Sequence, residues 1–195
     1  SSCRVMGTCA MLGQAVGTAA AIAAVEKCLP KDITERHITY LQDLLMDDDC
    51  FLPHLRRRVS SLCADAALEG DGCGLECLRD GIDRDRAGEV HAWVGGTGSR
   101  IWYAFAAPSH ISRIRLVFDS DLNRRTLPWP ENRMNRNMFH NRRLCYVPSH
   151  MPTTMLKRYR ITACCPDGSR RTVVEEENNY LRLRKYAVDI SDCTG

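Results

Sequence analysis

A chain of 195 residues with 44% hydrophobic content can bury a sizeable core in one or two domains. Its net charge of +3 is modest but uneven: residues 1–99 carry 10 Lys and Arg against 15 Asp and Glu, and residues 100–195 carry 17 against 9. The split points to two units of different character, and the later cations are scattered through strand-like text, which argues against a nucleic-acid surface.

The first element is the run RVMGTCAMLGQAVGTAAAIAAV, from Arg4 to Val25. Gly13 and Gly17 are spaced to share one helix face, and Ala20 and Ala24 continue that stripe. Between Leu12 and Val25 the bulky aliphatics are Val16 and Ile22 alone, so the helix is unusually thin. Each glycine costs about 1 kcal/mol relative to alanine inside a helix, which implies a packing reason for keeping two. Three readings fit: a small-residue core helix on a sheet, a secretory signal, or a helix whose open N-terminal N–H groups face an electron-rich group. Gln14 and the glycines weigh against the signal. Glu26 and Lys27 weigh against a membrane span, which needs about 20 apolar residues.

Leu29-Pro30-Lys31 should break the chain, because the residue before proline avoids helical geometry. A second helix is predicted from a capping box with Asp32 as N-cap and Glu35 three residues on. It carries Ile38, Leu41, Leu44 and Leu45 on one face, and His37 is expected to be an exposed helix residue. Asp47-Asp48-Asp49 should mark its exit into a loop, since anions are disfavoured at a helix C-terminus. Arg56-Arg57-Arg58 reads as a linker or interdomain surface.

Beyond the linker, helical spacing gives way to alternation. Ser99–Phe105, His110–Asp119, Lys157–Cys164 and Thr172–Val174 read as strands, with one or two more between Tyr180 and Ile190. Cys165-Pro166-Asp167-Gly168-Ser169 is a turn with an Asp-Gly signal. Half-polar alternation predicts an antiparallel β-sandwich with one wet face per sheet. The fold class is therefore α+β: a helical segment over residues 1–58 and a β-sandwich over 59–195. Residues 120–156 have weak periodicity and read as a long insertion, with Trp129 as either a sugar platform or a buried plug.

Eleven cysteines do not make a disulfide scaffold in a chain of this length. Cys9 and Cys28 read as small buried apolar residues. Cys73 and Cys77 are four apart without a second pair or a His cluster, so no metal site is assigned. The chain reads as reduced and cytoplasmic.

The segment Arg4-Val5-Met6-Gly7-Thr8-Cys9, continued by Gly13-Gln14-Ala15, Gly17 and Ala19-Ala20-Ala21, resembles the last flavin-contacting segment of FAD-dependent oxidoreductases. The similar group is the bacterial family related to fumarate-reductase and glutathione-reductase type flavoproteins. The resemblance covers roughly residues 1–55, and it implies FAD as cofactor. It further implies that Arg4, Thr8, Cys9, Ala10, Met11 and Gly13 line the flavin site, with the backbone N–H groups of residues 8–11 aimed at the pyrimidine end of the isoalloxazine. Such enzymes begin with a strand–GxGxxG–helix fingerprint. Neither Gly70-Asp71-Gly72-Cys73-Gly74 nor Gly95-Gly96-Thr97-Gly98 has that spacing. The expectation is thus the C-terminal part of a longer enzyme, partnered by its N-terminal remainder, with the catalytic residues upstream and unassigned.

Leu78-Arg79-Asp80-Gly81-Ile82-Asp83, Trp93 and Ile111-Ser112-Arg113-Ile114-Arg115-Leu116 resemble discoidin-like (galactose-binding-like) jelly rolls, over roughly residues 60–195. That resemblance implies a carbohydrate- or protein-binding role, and a non-enzymatic binding module is the alternative function.

Overall fold

The computed structural model describes residues 5–86, 88–121, 152 and 154–195. Arg4 and Trp129 lie outside the described residues. The chain divides into two compact units, one of Ser1–Asp65 with Glu76–Asp83 and one of Ala66–Leu75 with Arg84–Gly195.

The first unit is helical. Helix α1 spans Met6–Glu26, and Lys27 closes it in the left-handed conformation, its N–H donating to Ala23 O. Helix α2 (Pro30–Asp32) continues through a π-helical turn, Ile33–His37, into α3 (Ile38–Asp47). Its start differs from the capping box expected at Asp32. Leu29 is the N-cap and Pro30 takes the first helical position, where its missing N–H is no loss. Asp32 instead sits in the first turn, and its carboxylate accepts the Leu29 N–H at 2.9 Å. The π-helical turn shifts the helical phase, and His37 is half-buried there instead of exposed. Asp48 caps α3 and Asp49 adopts positive φ, so the acidic trio does mark the exit.

This unit's core is Ile22, Ile33, Leu41 and Leu45, with Ala15, Ala19, Ala23, Cys28 and Leu44 packed around it. Alanines on α1 let its backbone come close to α3, and the thiol of Cys50 donates to the side-chain Oε1 of Gln14 at 3.1 Å. A short helix, α4 (Ser61–Asp65), and a 3₁₀ turn, Leu75–Arg79, follow. Residues 76–83 join the helices through Arg57 N–H to Gly81 O at 2.8 Å and Arg79 Nη1 to Ala64 O at 2.8 Å.

The second unit is antiparallel β. Its strands are β1 (Ala67–Gly70), β2 (Ile101–Ala104), β3 (Ser109–Val117), β4 (Tyr159–Cys164), β5 (Arg170–Glu176) and β6 (Leu183–Cys193). They form three two-stranded ribbons, β1–β2, β3–β6 and β4–β5. The Asp-Gly turn closes β4–β5 as expected. Gly168 has φ +80, and Ser169 N–H donates to the Asp167 carboxylate at 2.8 Å. Bonds from the Ser169 side chain and then its backbone hold the Asp167 carboxyl below its usual range.

The ribbons meet at the last two residues. Phe105 N–H donates to Thr194 O, Thr194 N–H to Cys164 O, and Cys164 N–H to Gly195 O at 2.7–2.9 Å. Beneath that junction Ala163, Ile190 and Cys193 are buried, with Phe105, Ile111, Val173 and Val188 against them. The architecture is α+β, with a helical segment followed by antiparallel strands. Glycines 72 and 74 have positive φ, and a Cβ at either would strike the carbonyl oxygens of Val94 and Ala92. That glycine run therefore serves a tight turn.

Candidate functional site

Helix α1 has two opposite faces. Ala15, Ala19, Ile22 and Ala23 recur at helical spacing and face the unit's own core. At 100° per residue, the stripe Gly13, Gly17, Ala20 and Ala24 lies about 145° around the helix from them. All four are exposed, as are Ala10 and Ala21 beside them. A Cβ at Gly13 or Gly17 would meet nothing within 4 Å. Nothing among the described residues requires glycine at either position. The bulkier neighbours Met11, Leu12 and Val16 are also exposed, at 51%, 53% and 68%.

Among the described residues, the N-terminus of α1 is equally open. Val5 is the N-cap and supplies no side-chain acceptor, and the first turn holds no acidic residue. Hydrophobic Val5 and Met6 stand 57% and 87% exposed at this end. Cys9 N–H already donates to Val5 O at 3.0 Å, so the helical ladder takes up the amides from Cys9 onward, including those of Ala10 and Met11. The donors the ladder leaves over are those of Met6, Gly7 and Thr8. Of the four amides singled out from the sequence, Thr8 alone is in that set. The sequence pattern could not place the helix start to within one turn, because no Ser, Thr, Asp or Asn stands at position 5 to announce it.

Thr8, Cys9, Ala10, Met11 and Gly13 follow one another near the start of α1, Thr8 half-buried and the others exposed, but Thr8 and Met11 point to the opposite side of the helix from Gly13. Such an end carries a partial positive charge and oriented donors, with no carboxylate in its first turn to neutralise it. It can stabilise a group that is, or becomes, negative, and the smooth face beyond it admits a close, flat or backbone surface.

A different polar cluster lies in the second unit. Asn179, 3% exposed, donates from Nδ2 to Leu156 O and Leu181 O, and its Oδ1 accepts Leu181 N–H and Arg184 Nε. Arg184 also holds Glu176 at 2.8 Å. Nearby, the hydroxyls of Tyr159 and Tyr186 are 2.6 Å apart, and burial, then the bond to Tyr186, raises the Tyr159 pKa. These groups satisfy one another and present no open donor or acceptor array. None of the nine described cysteines is in a disulfide, and no group of three potential metal ligands occurs among the described residues.

Comparison with known families matches the stretch of chain that contains α1. Residues 1–45 match the family model described as FAD dependent oxidoreductase. The matched segment holds all of α1, the turn at Pro30 and most of α3, and it is similar to that family's sequence. No curated protein and no solved structure matches the chain. The discoidin-like resemblance over residues 60–195 gains no support, since the family match ends at residue 45.

Proposed function

We propose that this chain supplies the flavin-facing helix of an FAD-dependent oxidoreductase whose nucleotide-binding sheet lies in a further part of the protein. The observation that carries the reading is α1 itself. Among the described residues it has no side-chain cap at its N-terminus, and it carries a face of glycine and alanine that its own unit leaves uncovered. The family match over residues 1–45 supports it.

The residues present fit the cofactor. The amides of Met6, Gly7 and Thr8 form a donor array without a competing carboxylate, suited to the pyrimidine end of the isoalloxazine. The bound flavin would carry the redox chemistry. The work of this chain is to aim those N–H groups at the ring, to favour added negative charge there, and to let the sheet approach along Gly13 and Gly17. No acid or base is assigned to the chain.

The test joins the chain to the region that precedes it in its coding sequence and measures bound FAD after desalting. We expect stoichiometric flavin in the wild-type protein and loss of it in Gly13→Leu. A well-folded longer protein without flavin, or equal flavin content in both, would overturn the reading.

A second reading rests on the same exposure. The 21 residues of α1 are apolar enough to cross a membrane by length and composition, with 6% of the most apolar window buried. Partition of the full chain into the membrane fraction after high-salt washing would favour it. Recovery in the soluble fraction favours the flavin helix.

A further inference from the structure

The turn between β5 and β6 presents large apolar side chains outward on a rigid polar pin. The Asn179 side chain bonds to Leu156 O at 3.0 Å and Leu181 O at 3.1 Å, and its backbone N–H donates to Lys157 O at 2.8 Å. These bonds clamp the chain entering β4 beside the chain entering β6. Leu156, Tyr180 and Leu181 consequently sit together at one edge of the unit, 43%, 61% and 40% exposed. The Arg184 guanidinium lies 5.8 Å from the centre of the Tyr180 ring, which restricts that ring in place. Adjacent exposed apolar residues held rigid around a Tyr and an Arg have the composition and preorganisation of an interface centre.

The rim identifies the occupant. Lys157 and Arg158 follow Leu156, and Glu177 precedes Tyr180; all three are exposed. Among the described residues none of the three forms an ion pair, whereas the neighbouring Glu175 and Glu176 are taken by Arg160 and Arg184. An apolar centre with cations and an anion of its own is self-complementary. Self-complementarity is what a twofold interface demands, because each patch meets its own copy. An anionic bilayer would attract Lys157 and Arg158 but repel Glu177, whereas a second copy offers a partner to charges of both signs.

We propose that Leu156, Tyr180 and Leu181 form the centre of a twofold contact between two copies of this chain, with Lys157 and Arg158 of one copy meeting Glu177 of the other. The proposal is independent of the flavin reading, which concerns the other unit.

Sedimentation of the full chain across a range of concentrations tests it. The wild type is expected to dimerise, and Tyr180→Ser with Leu181→Ser should weaken the dimer at least about tenfold. Because exposed α1 could also drive association, charge exchange separates the causes. Glu177→Lys should weaken the dimer, as should Lys157→Glu with Arg158→Glu, and combining all three should restore it. Circular dichroism checks that each variant is folded. A wild type that stays monomeric, a dimer insensitive to these changes, or charge variants that do not rescue one another would overturn the proposal. So would sedimentation of a monomeric chain with vesicles of anionic lipid.

Discussion

Asn179 closes four side-chain hydrogen bonds from a position 3% exposed, so its partners have no water to fall back on. Asn179→Leu keeps much of the volume but strands the Leu181 N–H, the Arg184 Nε and two carbonyls. We expect a loss of about 2–3 kcal/mol, read from urea denaturation followed by circular dichroism. A change under about 0.5 kcal/mol would mean that the network is idle. Tyr159 gives a pH signature instead. Its folded pKa is raised above the usual 10.0, first by burial and then by the bond to Tyr186. The unfolded chain therefore releases this proton first. The stabilisation is whole below about pH 10 and is lost as pH rises toward the folded value. Tyr159→Phe should flatten the alkaline decline in melting temperature, and an unchanged slope would exclude Tyr159 as its source.

Helix α1 makes opposite demands on its two faces, and substitutions should separate them. In this chain Gly13→Leu meets open space. It should leave stability unchanged or raise it by up to about 1 kcal/mol through helix propensity, while abolishing flavin loading in the longer protein. Ala19→Leu crowds the packing on Ile22 and Leu41 and should cost about 1–3 kcal/mol. Thermal melts of the two variants decide it; equal destabilisation would show that the stripes are not distinct. The glycine stripe was legible in the sequence because residue spacing alone defines a helix face. Which face turns inward was not, because alanine lines both. The capping box read at Asp32 failed for a similar reason: Asp32 does cap, but Pro30 prefers the first helical position and moves the helix start three residues earlier. Five of the six strands were legible to within two or three residues at their ends, since alternation such as Ile114 and Leu116 against Arg113 and Arg115 has no helical equivalent, whereas β1, at four residues, is too short to show one. Their pairing was not, because β3 joins β6 across the β4–β5 hairpin, and alternation does not name a partner.

At the scale of the molecule, the two units differ in what they can hold up alone. The helical unit buries Ile22, Ile33, Leu41 and Leu45 and leaves most of α1 in solvent. A fragment of residues 1–65 should therefore show no cooperative thermal transition. The β unit has its own core, and a fragment of residues 66–195 should melt cooperatively with a β-type spectrum. Failure of that fragment to fold until residues 1–65 are restored would merge the two. Within the β unit, the ladder that matters most is also the slowest to close. Ser109 pairs with Cys193 and Val117 with Leu183, while the β4–β5 hairpin needs a five-residue turn. Refolding should show the hairpin early and the β3–β6 ladder late, since distant pairing must first meet the entropy of loop closure. On the ribosome the order is harsher still. β3 emerges long before β6 exists, and until then its unpaired backbone edge and the apolar side chains of Ile111, Ile114 and Leu116 are open to any neighbouring chain during synthesis.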